Sequence, residues 1–208
     1  VIIDKLPVGP IMANCFIVGC EETKMGAVID PGAEVERILQ RVTRAGLTVT
    51  HIINTHGHFD HVAGNRQLKA ATGAELVIHA LDAPMLDHLS QMAGSFGLRV
   101  DNSPPPDRTV DEGDHIAVGR IEFIVRHTPG HTPGGIALHN DGCVFVGDTL
   151  FQGSIGRTDF PGGDFDTLIT SIRTKLFTLD DQVKVYTGHG PETTIGEEKR
   201  YNPFARMA

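Results

Sequence analysis

Short runs of β-branched and apolar residues recur along the chain, separated by stretches in which apolar positions return every three or four residues. The short runs predict strands from Ile2 to Leu6, Cys15 to Val18, Ala27 to Ile29, His51 to Asn54, Leu76 to His79, Ile121 to Arg126, Ile136 to His139, Cys143 to Gly147 and Val183 to Thr187. The longer spacing predicts three helices. One runs from Glu34 to Ala45 with Val35, Ile38, Leu39 and Val42 on one face, a second from His61 to Thr72, and a third from Phe165 to Phe177 carrying Leu168, Ile169, Ile172 and Leu176. Gly46 and Gly73 read as C-terminal stops and Asp164 as an N-cap.

Strands and helices alternate in the first half, whereas His115 to Gly147 reads as consecutive strands joined by turns such as Asn140-Asp141-Gly142. This order predicts a mixed α/β (α+β) fold with two sheets, not a doubly wound parallel sheet. The stretch from Ser90 to Asp107, ending in Ser103-Pro104-Pro105-Pro106, is expected to be a loop crossing between halves. Each half alone is small for a solid core, so residues 1–208 are expected to form one domain.

Composition narrows the function. Hydrophobic residues make up 40% of the chain, enough for a core, which excludes intrinsic disorder. The net charge of -8 has the wrong sign for nucleic acid or an anionic membrane surface, and no apolar run approaches the ~20 residues of a membrane span. Cys15, Cys20 and Cys143 form no even framework and no CxxC pair, so reduced thiols in a cytoplasmic protein are expected. Eleven histidines and twenty-four glycines point to loops that carry metal or proton-transfer chemistry.

The histidines are concentrated. Directly after one strand comes Thr55-His56-Gly57-His58-Phe59-Asp60-His61, an H-x-H-x-D-H cluster that a chain of this composition would produce by chance roughly two times in a thousand. Histidines two apart on an extended strand end project to the same side, so His56 and His58 reach one ion while Asp60 and His61 face a neighbouring one. Further ligands are then needed, and isolated candidates follow other strands: His131 in Thr128-Pro129-Gly130-His131-Thr132-Pro133-Gly134, Asp148 after Gly147, and His189 in Gly188-His189-Gly190. Glycines beside each would let backbone approach closely. His51, His79, His88, His115, His127 and His139 lack such a context.

The order H-x-H-x-D-H, then His131, Asp148 and His189, resembles the metallo-β-lactamase superfamily of binuclear hydrolases. The resemblance covers essentially the whole chain and implies an αββα sandwich with metals at one edge of its two sheets. It assigns His56, His58 and His131 to a first metal, Asp60, His61 and His189 to a second, and Asp148 to a bridge between them. Val28-Ile29-Asp30-Pro31-Gly32, Gly156-Arg157-Thr158-Asp159-Phe160 and Asn202-Pro203-Phe204 are similar to the small hydroxyacylglutathione hydrolase (glyoxalase II)-like proteins. In that comparison Asp30 either supports the site from behind its ligands or simply closes a turn.

The resemblance implies two divalent ions, zinc foremost with iron or manganese as alternatives, acting on a thioester such as S-lactoylglutathione. A thioester suits such a site because its thiolate leaves without a strong general acid, and no Ser-His-Asp or Cys-His motif competes as nucleophile. Asp60 and Asp148 are the expected catalytic carboxylates. Arg157 is expected either to anchor an anionic substrate or to pair with Asp159. Two other functions share the metal loop: a sulfur dioxygenase with one iron acting on persulfides, and, from a different class, a noncatalytic metal-binding module. A β-lactamase or a nuclease fits the cytoplasmic, acidic character less well. Full-length glyoxalase II enzymes carry a helical C-terminal region that helps bind glutathione; nineteen residues follow His189 here, and no separate helical domain is expected.

Overall fold

The computed structural model describes residues 1–206 and contains two six-stranded mixed sheets. The first runs in the order β1 (Ile2–Val8), β2 (Ala13–Gly19), β3 (Met25–Ile29), β4 (Thr48–Ile53), β5 (Glu75–His79) and β6 (Arg108–Val110). Its first three strands are antiparallel neighbours and its last four are parallel. The second sheet runs β14 (Thr193–Thr194), β13 (Lys184–Thr187), β10 (Cys143–Gly147), β9 (Ile136–Asn140), β8 (Ile121–His127) and β7 (His115–Val118), with β10 and β13 parallel and the rest antiparallel. A small ribbon of β11 (Leu150–Phe151) and β12 (Ser154–Ile155) follows β10.

Alternation along the strands explains the layers. In β2, Phe16 and Val18 enter the apolar layer between the sheets, where they meet Phe123, Val125, Leu138 and Phe145 of the second sheet. Cys15 and Ile17 point the other way, into a layer closed by α1 (Val35–Ala45), α3 (Asn65–Thr72) and α4 (Leu89–Gly94). On the far side, Val144, Val146 and Val185 pack against Leu168 of α5 (Phe165–Ser171) and Ile195 of α6 (Ile195–Tyr201). Both faces of the central strands are therefore buried, which is why they read as near-continuous apolar runs. Two sheets between two helical layers are the αββα sandwich expected from the sequence.

Every expected strand has a counterpart, and Gly46 and Gly73 end their helices at φ 65° and 69°. Asp164 caps α5 by accepting the Thr167 N–H at 2.8 Å. Two helices differ from expectation. The one expected from His61 to Thr72 is split into α2 (Phe59–Val62) and α3, because Gly64 leans on the Pro31 turn and donates its N–H to the Pro31 carbonyl at 2.8 Å. A Cβ on Gly64 would stand 2.4 Å from that oxygen. The third begins as α5 but continues as a π-wound turn over Ile172–Leu176, with Phe177 N–H reaching the Ile172 carbonyl five residues back. Part of the expected loop from Ser90 to Asp107 is helical, since α4 extends to Gly94 after a 3-10 turn at Ala83–His88. Among the described residues no helix is long and apolar enough to cross a membrane, and all three cysteines are free.

Candidate active site

The seven candidate ligands come from four loops, each following a strand: His56, His58, Asp60 and His61 after β4, His131 after β8, Asp148 after β10 and His189 after β13. The first four belong to one sheet and the last three to the other, so the cluster sits where the sheet edges meet. A β-bridge between Ala13 and His189 ties the edges together there. Asn14 adds hydrogen bonds from its side-chain amide to the carbonyls of Thr187 and Gly190, both at 2.9 Å.

The ligand atoms form two groups. His56, His58 and His131 offer nitrogens that all lie within 4.8 Å of one another, as do the donor atoms of Asp60, His61 and His189. Asp148 lies between them: its Oδ1 is 3.4 Å from His61 Nε2, and its Oδ2 is 3.6 Å from both His131 Nε2 and His189 Nε2. Asp60 Oδ2 lies 3.3 Å from His189 Nε2.

Hydrogen bonds outside the cluster set which nitrogen faces inward. His131 Nδ1 donates to the Arg157 carbonyl at 2.7 Å, leaving its Nε2 lone pair toward His58 Nδ1, 2.9 Å away. Asp30, buried and held at φ 52°, accepts from Thr55 N–H at 2.8 Å, from the Thr55 hydroxyl at 2.6 Å and from His61 Nδ1 at 3.1 Å. His61 Nε2 is thereby aimed at His189 Nε2, 3.2 Å away. The Thr55 oxygen accepts in turn from His56 Nδ1 at 3.1 Å.

These inward atoms identify what the cluster is built to hold. His56 Nε2 and Asp148 Oδ1 are buried and have no hydrogen-bond partner. Abandoned acceptors of this kind are costly in a protein interior, and imidazole lone pairs facing each other repel unless a cation stands among them. Three imidazoles in one group, and a mixed carboxylate and imidazole set in the other, are suitable donors for a divalent transition metal. Burial lowers His56 well below the usual imidazole range and lowers His58 to about 4, so both remain neutral donors at physiological pH. Burial would raise the Asp148 carboxyl, but the attraction of the surrounding imidazoles, His61 first among them, outweighs it and holds it well below the usual carboxylate range.

The glycines beside the ligands have steric causes. A Cβ on Gly188 would lie 2.1 Å from Asp148 Oδ1, and one on Gly32 would lie 1.6 Å from the Asp60 carbonyl. Gly188→Ala is therefore expected to displace the Asp148 carboxylate and lower metal content in elemental analysis. Full metal content in that variant would show that the carboxylate has another place to stand.

One supporting residue escaped the sequence. Asp82, fully buried, accepts from Gly57 N–H at 3.0 Å, the Thr132 hydroxyl at 2.7 Å and Gly134 N–H at 2.6 Å. It thus joins the loop between His56 and His58 to the loop carrying His131. No local motif marks it, because its three partners are distant in sequence. Asp82→Asn is expected to turn an amide NH2 toward one set of donors and cost ~2 to 5 kcal/mol, as charged acceptors replaced at buried donors do. Thermal denaturation of the metal-free protein measures this; an unchanged midpoint would mean that the loops hold their places without the carboxylate.

His79, Asp111 and His127 also approach one another. His79 Nδ1 accepts the Leu81 N–H at 3.1 Å, so the proton of the neutral ring sits on Nε2, 3.4 Å from Asp111. That is a hydrogen-bonded pair stacked on His127, not an open donor set.

A cavity of about 740 Å³ opens over the ligand cluster. Arg157 lies on its wall, where its Nε and Nη2 each donate to an Asp159 carboxylate oxygen at 2.7 Å. The pairing with Asp159, one of the two roles open to Arg157 from the sequence, is present.

The fold and these donor groups are those of a metal-dependent site, and the chain belongs to the metallo-beta-lactamase superfamily, whose family profile matches residues 8–189. Within it the chain is 44% identical over 206 residues to the hydroxyacylglutathione hydrolase GloC of Haemophilus influenzae, covering 97% of each protein. It is similar to the solved structure of TTHA1623 in a di-iron-bound form, with 38% identity and a TM-score of 0.89 over 97% of this chain and 99% of that one. It is also similar to BLEG-1 B3 metallo-beta-lactamase, with 33% identity and a TM-score of 0.92 over 98% of this chain and 99% of that one.

Proposed function

We propose that the protein is a hydrolase of thioesters that works with two divalent ions, zinc foremost, and acts in the cytoplasm on a small acyl-thiol of the S-lactoylglutathione type. His56, His58 and His131 would hold one ion, Asp60, His61 and His189 the other, and Asp148 would serve both. When bound, two such ions supply Lewis-acid polarisation of the carbonyl and a nucleophile from water at neutral pH. The observation that carries this reading is the presence of two donor groups side by side, with Asp148 within 3.6 Å of members of each.

The chain's own residues have distinct tasks. Asp30 and the Arg157 carbonyl fix the proton on Nδ1 of His61 and of His131, so that Nε2 of each faces the reacting centre. Asp60 and Asp148, the catalytic carboxylates of this reading, are held ionised by the neighbouring imidazoles His189 and His61 against the opposing effect of burial. The cavity admits the thioester and brings its carbonyl to the floor formed by His58, His131 and His189. Water's oxygen ends on the acyl carbon, the C–S bond breaks, and sulfur leaves with the electron pair. The products are a carboxylate, a thiol and one released proton.

GloC supports this assignment by its name, and the di-iron form of TTHA1623 keeps iron among the candidate metals. The test is elemental analysis of purified protein beside S-lactoylglutathione hydrolysis. Two metals and turnover are expected. One iron with persulfide-dependent oxygen consumption would make the protein a dioxygenase, β-lactam hydrolysis alone would make it a lactamase, and metal without turnover would make it a binding module.

A further inference from the structure

Resting on the hydrolase assignment, we infer that the cavity selects its thioester through an extended apolar arm of the substrate and not through the charges of glutathione. Above the ligands, the wall is built from Ile11, Leu81, Met85, Met92, Phe96 and Phe160. Several of these are costly where they stand. Leu81 is 56% exposed, Phe96 53% and Ile11 39%, so large apolar side chains form the rim of the opening onto the candidate metal ligands. A rim of that kind marks a surface whose partner is itself apolar.

The charges along the wall agree. Glutathione carries two carboxylates and an ammonium group, and a site that recognises it needs basic side chains with free hydrogen-bond donors. Besides the imidazoles among the candidate ligands, the basic groups of the lining are His88 and Arg157. The Arg157 fork is closed on both oxygens of Asp159, and its guanidinium carbon lies 3.8 Å from the centre of the Phe160 ring. Asp159 thus balances the Arg157 charge and takes up two of its five N–H donors, and the flat guanidinium lies along the aromatic wall, where it extends the apolar surface.

The apolar arm can belong to the acyl group or to the thiol, and the experiment separates the two. One series carries acetyl to hexanoyl groups on N-acetylcysteamine; the other carries a constant acetyl group on alkyl thiols of rising length. A fully buried methylene is worth a factor of roughly 4, so kcat/KM is expected to rise at least ~10-fold across one of these series. Phe96→Glu should flatten that rise and Phe96→Leu should keep it. Asp159→Asn, which frees the guanidinium, should lower KM for S-lactoylglutathione. Calorimetric titration of the metal-loaded protein with non-hydrolysable S-alkyl-N-acetylcysteamine thioethers reads binding without turnover, and affinity is expected to increase with chain length. Flat kinetics in both series with S-lactoylglutathione preferred would overturn the apolar arm and leave the hydrolase standing. Absence of all thioester turnover would remove the hydrolase, and the calorimetric series would then decide the cavity's preference: chain-independent binding would overturn it.

Discussion

Asp148→Ala is expected to leave the protein with at most one tightly held metal and to reduce thioester turnover by more than 100-fold. The carboxylate reaches members of both donor groups, and its Oδ1 has no hydrogen-bond partner of its own. Removing it takes the shared acceptor from both groups at once and leaves the surrounding imidazoles with one fewer negative charge against which to gather a cation. Asp30→Ala makes the informative contrast. Asp30 hydrogen-bonds to Thr55 and, among the candidate ligands, to His61 alone, so its loss frees the His61 ring to turn and leaves the Thr55 N–H unpaired. Residues placed behind metal ligands tune affinity or activity by ~10 to 100-fold. Turnover of both variants at saturating metal, with metal content measured on the same samples, makes the comparison. Equal, modest losses would remove Asp148 from its bridging role.

Chelation is expected to abolish turnover and to lower the melting temperature by several degrees, both restored by adding back metal. A ligand present at 100 times its dissociation constant stabilises the folded state by ~2.7 kcal/mol, and in a chain of this size each kcal/mol shifts the midpoint by roughly 2 to 4 °C. The apoprotein should keep both sheets, because the apolar layer between them is built from residues such as Phe16, Phe123 and Phe145 and does not depend on the ligands. Circular dichroism should therefore change little while the melting midpoint falls. An identical midpoint and undiminished turnover after verified metal removal would contradict a metal-dependent site.

How much of this was legible in the sequence depended on the range of the interaction concerned. Strand patterns were clear because both faces of the central strands are covered, and the helix stops at Gly46 and Gly73 were clear because a left-handed residue there needs glycine. The H-x-H-x-D-H loop announced itself through local spacing, and His131, Asp148 and His189 stood out through their glycine neighbours and strand-end positions. Asp82 did not, since its partners at Gly57, Thr132 and Gly134 are brought to it by the fold. The break between α2 and α3 was hidden for the same reason: Gly64 yields to the Pro31 turn, thirty-three positions earlier. α6 carried a local signal that went unused, Thr194 followed three positions later by Glu197, whose N–H the Thr194 hydroxyl accepts at 3.2 Å.

The division of the donor atoms between the two sheets has a consequence during synthesis. The nascent chain completes the strands of the first sheet at Val110, yet His189 is added roughly 80 residues later, which at ~5 to 20 residues per second is several seconds of translation. Throughout that interval the emerging polypeptide displays three histidines and Asp60 in one loop, without His131, Asp148 or His189 to complete either group. The contact that closes the seam pairs Ala13, at the start of β2, with His189. Firm capture of metal thus waits for β13 and the loop that follows it, and a chain stalled before β13 would carry the conspicuous histidine loop but hold its metal weakly.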